Sequence, residues 1–410
     1  MVTVRSLIAL AASRGWNISQ MDIYNSFLQG DLYEEVYMEL PQGFRKQGET
    51  KVCRLLKSLY GLKQASRQWN IKLSEALIAA GYIQSLHDYS LFTKRKNEDF
   101  VAVLIYVDDL LITGNSTQFI NETKEVLHQQ FKVKDLGDLK YFLGIEVLRS
   151  KSGILLNQRK YCLQLIFDLG LGGAKLVLTP IDLNQNFTSA EFDRHTGVGN
   201  DEVLSDANEY QRLVGRVIYL TITRPDIVFI VQTLSQFMQE PKSSHWDATV
   251  RVVIYLKHEP RMGIFLGNSN EDNLTCFCDA DWASCPNTRT SVTGYLIKFG
   301  DSLISWKSEK WHTVSRSSAE AEYRSLAAVT AEVVWLLGLF AELGVTIKQP
   351  VKVYCDTANT KIADSELNDD SDEEVPYDID PEIEIVSQNV EQKTPSVTSD
   401  EIQVLGTKEM

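Results

Sequence analysis

Apolar positions recur along this chain with two different periods. Residues 2–15 carry apolar side chains at helical spacing and predict an amphipathic helix. Residues 18–24 read as a strand ending at Asp22 or just beyond. Residues 65–80 return to helical spacing through Trp69, Leu73 and Leu77, and Gly81 follows as a stop. Residues 100–107 are a continuous apolar run, Asp108-Asp109 falls at a turn, and residues 110–113 run back before Gly114, which predicts a hairpin. Residues 121–131 read as a helix and residues 141–148 as a further strand. Helical patterns dominate residues 155–260, at 210–220, 227–238 and 246–258, and the polar, Gly-containing residues 184–206 read as a surface loop. Residues 272–360 then read β, β, β, α, β, with strands at 274–279, 293–299 and 302–306, a long helix at 318–343 and a last strand at 351–355.

A length of 410 residues exceeds one ordinary core and predicts two or three domains, and 44% hydrophobic residues is a globular composition. No run of about 18 apolar residues stands out, so no membrane span is expected. The apolar run at the N-terminus is interrupted by Arg5, which favours the amphipathic helix over a signal peptide. The six cysteines form no CxxC pair and read as reduced, intracellular thiols; Cys276, Cys278 and Cys285 lack zinc-ribbon spacing. The net charge of -14 is unevenly spread: residues 364–401 hold 14 acidic residues and one basic residue, so the rest of the chain is close to neutral. A neutral body can still present a basic face to a phosphate backbone. From residue 364 onward the composition predicts a disordered acidic tail.

Two carboxylate constellations carry the candidate chemistry. Asp108-Asp109 at a hairpin tip repel one another at neutral pH, and a divalent cation would resolve that repulsion, with Asp22 at the end of another strand completing the set. A bare Asp-Asp pair is more often a simple turn, and the flanking sequence decides. YVDD at 106–109, MDIYNSFLQGDL at 21–32, LYGLKQASRQW at 59–69 and LGDLKYFLGIEV at 136–147 resemble, in order and spacing, the reverse transcriptase of copia-type LTR retrotransposon Pol polyproteins. The second constellation is Asp279 in CDADWA, Glu322 in SSAEAEYRSLA and Asp356 in VYCDT, and it resembles the RNase H part of the same family.

The resemblance implies an α/β (α+β) chain. Residues 1–155 would be the reverse transcriptase palm and partial thumb, 156–265 a mostly helical thumb and connection, 266–363 an RNase H-like domain, and 364–410 the acidic tail. Asp22, Asp108 and Asp109 would hold metal for polymerisation, and Asp279, Glu322 and Asp356 for RNA cleavage, with two Mg²⁺ per site and Mn²⁺ as substitute. Asp281 and Glu320 are alternates in the second site, and Asp364 or Asp369 a conceivable fourth ligand. Phe27 would exclude the 2′-hydroxyl, Gln64 and Lys63 would contact nucleotide or template, and Tyr141, Phe142, Leu143 and Gly144 would grip the primer. Arg224 and Asp226 read as structural, while Lys242, His245 and Lys257 are candidate phosphate contacts. The implied partners are an RNA template, a DNA primer, an RNA–DNA hybrid and deoxynucleoside triphosphates. The implied location is a cytoplasmic particle, with the nucleus as an alternative. Two departures are expected to matter: the chain starts inside the family's pattern, past its basic fingers segment, and the tail replaces the segment that should follow residue 363. An inactive remnant or weak nucleic-acid-binding protein is therefore the competing reading.

Overall fold

The computed structural model describes residues 1–44, 51–182, 185–197 and 201–355, and the backbone of 383–387. It opens with α1 (Val2–Arg14), closed by Gly15 in the left-handed conformation at φ 66. There follow β1 (Ile18–Ile23), the short α2 (Ser26–Gln29), a small hairpin of β2 (Tyr37–Glu39) and β3 (Val52–Arg54), and α3 (Ala65–Ala79). Next come β4 (Ile83–Gln84), β5 (Leu91–Lys96), β6 (Asp99–Tyr106), β7 (Asp109–Gly114), α4 (Thr117–Gln130) and β8 (Val133–Asp138). These strands form an antiparallel sheet in the order β4-β5-β6-β7-β1-β8.

Strand β6 explains its own unbroken apolar run. Val101, Val103 and Ile105 pack with Trp69, Leu73, Leu77 and Leu127 from α3 and α4. Phe100, Ala102 and Leu104 face the other way, into a core shared with α1. A strand covered on both faces has no polar side to alternate with.

A second sheet joins β9 (Tyr141–Phe142), β10 (Ile145–Ser150), β11 (Gly153–Asn157) and β12 (Gly263–Gly267) in the order β12-β11-β10-β9. Between β11 and β12 run α5 (Arg159–Asp168), α6 (Ala190–Thr196), α7 (Ala207–Leu220), α8 (Val228–Ser235) and α9 (Ser243–His258), around a core that includes Tyr210, Leu213, Ile230, Val252 and Leu256. The expected strand over 141–148 is broken, because Leu143 and Gly144 turn at φ 49 and 77. The expected loop over 184–206 contains α6, whose N-terminus Ser189 caps by accepting the Phe192 N–H.

The third sheet has the order β15-β14-β13-β16-β17, from β13 (Leu274–Asp281), β14 (Val292–Phe299), β15 (Ser302–Lys310), β16 (Val351–Cys355) and β17 (Ile383–Ser387). β13, β16 and β17 are parallel, and β14 and β15 are antiparallel additions. Composition alone predicts disorder throughout the acidic tail, yet residues 383–387 form a strand; the run IEIV is β-prone within its acidic surroundings. Helix α10 (Ser318–Glu342) packs against this sheet. By length and composition α10 could cross a membrane, against the expectation that no such stretch exists. Its apolarity is used here in the core, where Val329, Val333, Leu336, Leu339 and Phe340 are fully buried. The core of this sheet is continuous with that of α1 and the first sheet.

Two candidate phosphate contacts are corrected by burial. Lys242 is buried, and its ammonium pairs with Asp193 at 2.5 Å and Asp201 at 3.3 Å. His245 is fully buried and stacked on Phe237 with centroids 4.0 Å apart. Its Nδ1 accepts the Lys242 N–H at 3.1 Å, so Nε2 carries the proton that reaches the Thr188 carbonyl at 3.2 Å. Both side chains tie Thr188, Asp193 and Asp201 to the start of α9 and are shut off from solvent. Lys257 donates to the carbonyls of Gly172 and Ala174. Arg224 and Asp226 form a tight ion pair inside the helical unit, the structural role expected of them.

Burial, with the Lys242 charge adding to it, lowers the His245 pKa to about 4. A base whose folded value lies below its unfolded value costs stability as the pH falls between the two. Acidification from about pH 6.5 to 4 should therefore remove up to about 3 kcal/mol through this one group. His245→Gln should flatten the stability profile in that window, measured by denaturant unfolding at a series of pH values; an unchanged slope would show that another group sets it.

Candidate catalytic carboxylate sites

The first site is built by strand register. β1 and β7 run antiparallel with Asp22 directly opposite Asp109. β6 and β7 close their hairpin at the pair Tyr106–Asp109, leaving Val107 and Asp108 as the turn. Val107 sits at φ 57, a costly conformation for a β-branched residue. Two long-range hydrogen bonds hold it there. Trp69 Nε1 donates to the Val107 carbonyl at 2.7 Å, and the Ile23 N–H donates to the Asp108 carbonyl at 2.8 Å. Trp69 is itself buried edge-on against Phe131.

All three carboxylates are half-buried. The Asp109 carboxyl titrates above its ordinary range, chiefly because it is buried and also because Asp108 and Asp22 are negative; the Gln20 amide, donating at 3.0 Å, opposes the rise. Like charges placed opposite each other on neighbouring strands are destabilising. Among the described residues no group of three His, Cys, Asp or Glu side chains is placed so that it could hold a metal ion as it stands. What the strands supply is three neighbouring carboxylates under electrostatic tension.

Around it, Phe27 lies on α2, which starts from Asn25 in the left-handed conformation, and its ring meets Tyr60 at 4.9 Å. Gln64 is half-buried at the start of α3 and makes no side-chain capping bond, while Lys63 is exposed. Of the four expected grip residues, Tyr141 is exposed and Phe142 is buried in the core. Leu143 and Gly144 form the turn, which the Tyr219 hydroxyl fastens by donating to the Leu143 carbonyl.

The second site lies at the ends of β13 and α10. Asp279 is exposed near the end of β13, and Glu322 is half-buried in the opening turns of α10. Ser325 Oγ donates to the Asp279 carbonyl at 2.9 Å, which binds the helix to the strand one turn after Glu322. The Asp281 carboxyl is also raised, by burial and by Asp279. Glu320 is occupied: it accepts the Arg316 N–H at 2.7 Å and pairs with Arg324 at 2.6 Å, a helix-start role. Asp356, Asp364 and Asp369 lie outside the described residues; Asp356 follows Cys355, whose in-register partner is Cys278, the residue before Asp279.

Sequence patterns missed Gln20 and the hydrogen-bonding role of Trp69. Trp69 was visible only as an apolar helical position. Gln20 had little signal, being one of three polar residues, with Ser19 and Asp22, in the six-residue β1.

The first sheet carries carboxylates on a hairpin and on the strand beside it, and residues 1–183, which include them, match the family described as reverse transcriptase (RNA-dependent DNA polymerase). Most of the chain is homologous to copia-type Pol polyproteins of retrotransposons. It is 42% identical over 355 residues to the retrovirus-related Pol polyprotein from transposon RE2 of Arabidopsis thaliana, covering 86% of this chain and 24% of that polyprotein. It is 35% identical over 366 residues to the corresponding polyprotein from transposon TNT 1-94 of Nicotiana tabacum, covering 87% and 27%. An uncharacterized mitochondrial protein of Arabidopsis thaliana is 38% identical over 235 residues, 57% of this chain and 93% of that protein. The chain thus spans about a quarter of the length of its polyprotein relatives.

The raised Asp109 carboxyl carries a stability prediction. A carboxyl whose folded value lies above its unfolded one imposes a penalty that is absent in acid and grows as the pH rises through the folded value. Asp109→Asn should raise the melting temperature at pH 7, and the gain should shrink as the pH falls toward 4. A variant less stable than the parent at pH 7 would show that the carboxylate is compensated in the folded state.

Proposed function

We propose that this chain is an RNA-directed DNA polymerase with RNase H-type cleavage of RNA–DNA hybrids, both by two-metal phosphoryl transfer. The observation that carries the reading is the register that sets Asp22 against Asp109 with Asp108 in the adjoining turn. Mutually repelling, half-buried carboxylates, eased at Asp109 among the described residues by the Gln20 amide, are a donor set suited to a hard divalent cation. Asp22, Asp108 and Asp109 would hold Mg²⁺ or Mn²⁺, which when bound stabilises the attacking and leaving oxygens of an in-line displacement.

The chain's own residues then act by position. Gln20 restrains one oxygen of Asp109, and Trp69 fixes the turn that presents Asp108. Phe27, packed on Tyr60, would lie beneath the sugar and leave no room for a 2′-hydroxyl. Gln64 and Lys63 would meet the incoming deoxynucleotide or the template, and the turn at Tyr141–Gly144 would support the primer. In the second site Asp279 and Glu322, with Asp356, would hold metal for cleavage. The strand order β15-β14-β13-β16-β17, with Asp279 on β13 and Glu322 on the helix crossing that sheet, supports this assignment. The partners proposed are an RNA template, a DNA primer and deoxynucleoside triphosphates, and the setting is a cytoplasmic particle.

Primer extension on poly(rA)/oligo(dT) with Mg²⁺ tests the first activity. The parent should extend, the Asp108→Asn, Asp109→Asn double variant should not, and Gln20→Leu should be about 10–100-fold slower because it loosens the residue behind a metal ligand. Cleavage of a labelled RNA–DNA hybrid, abolished by Asp279→Asn, tests the second. Folded parent protein inactive in both assays would assign the chain to the inactive remnants of its family.

A further inference from the structure

Helix α10 meets the first sheet at the loop that joins β4 to β5. The Leu86 N–H donates to Glu342 Oε1 at 3.0 Å, and His87 Nδ1 lies 2.9 Å from the same oxygen. Two turns back along α10, Trp335 Nε1 donates to the His87 carbonyl at 2.9 Å. The His87 N–H donates to Ser85 Oγ at 3.1 Å. The imidazole is thus held through its ring, its amide and its carbonyl.

Between Trp335 and Glu342, on the same side of the helix, stands Gly338. A Cβ added there would lie 2.0 Å from His87 Nε2 and 2.5 Å from Cε1. Glycine inside a helix is inferior to alanine on backbone grounds. Its gain at this position is the space it leaves. The Arg95 guanidinium on β5 also crowds Gly344 just past α10, and α1 ties to both sides, Thr3 Oγ1 donating to Asp88 and Arg14 pairing with Asp272 at 2.6 Å.

We infer that Gly338 is a notch seating His87, and that the His87–Gly338–Glu342 contact locks the sheet bearing Asp22, Asp108 and Asp109 to the sheet bearing Asp279. The lock holds the two carboxylate sites at one spacing, so that a duplex lying across both is cut at a fixed distance from the primer terminus. The spacing part rests on the proposed function; the lock itself does not. His87, Gly338 and Glu342 are positioning residues and touch no reacting atom.

Thermal melting of the full chain tests the lock through a double-mutant cycle. With His87 present, Gly338→Ala forces a methyl group into the ring and should lower the melting temperature by about 2–6 °C. In the His87→Ala background the same substitution should be neutral or stabilising, because only the helix preference is left. Gly338→Ala that is harmless beside His87, or equally harmful in both backgrounds, would overturn the lock. His87→Ala alone adds no atom, and should lower the melting temperature without preventing folding; no change on removing the ring would also overturn it.

Hybrid cleavage reads the spacing. The parent should cut the RNA within a narrow range of distances from a recessed DNA 3′ end with Mg²⁺, and His87→Ala should broaden that range at an undiminished total rate. A range as narrow as the parent's would sink the spacing claim. A parent that cuts no hybrid removes the spacing claim together with the proposed cleavage, while the melting cycle still decides the lock.

Discussion

Three carboxylates that repel each other at the end of one sheet are the constraint on which the rest of the first site depends. Strand pairing forces Asp22 and Asp109 into opposition, and the hairpin turn adds Asp108. Among the described residues the groups that act on the Asp109 carboxyl are the Gln20 amide and the two neighbouring carboxylates. Gln20 supplies one dipole, while Trp69 and the Ile23 amide fasten a turn in which Val107 sits in an unfavourable conformation. Under the proposed function, a divalent ion bound here would relieve that repulsion.

The same economy appears where the sheets meet. Arg5, buried on α1, donates to the carbonyls of Ile304 and Ile222 and lies over the Trp306 ring at 3.7 Å. Burial pushes its pKa down to about 10, with Glu332 and Tyr295 opposing the fall. A buried guanidinium of this sort tolerates little displacement, because its donors lose both water and partners if the elements separate. Helix α1, which looked in sequence like a simple amphipathic opening, is thereby a central element shared by the first and third sheets.

The parts of the architecture that were legible in sequence are those governed by local periodicity. The doubly covered β6, the hairpin at YVDD, the helix over Trp69, Leu73 and Leu77 and the β, β, β, α, β order all follow from short-range pattern. What escaped depends on residues far apart in the chain. Lys242 and His245 look like surface cations until Asp193, Asp201 and the Thr188 carbonyl, some 40 to 60 residues away, close around them. The break at Leu143–Gly144 is fixed by Tyr219, and the value of Gly338 is visible only once His87 is placed beside it. The carboxylates were legible through motif resemblance, but the groups that hold them, Gln20 above all, were not, because Gln20 is one of three polar residues in β1 and nothing local singles it out.

The most direct measurement of the central claim is anomalous scattering from crystals of the chain with a primer–template duplex, soaked in Mn²⁺. Occupied peaks between Asp22, Asp108 and Asp109, and a separate peak beside Asp279 and Glu322, are the predicted result. Well-ordered carboxylates with no manganese peak at the first site would contradict the account, since the repulsion built into that register would then have no ion to relieve it.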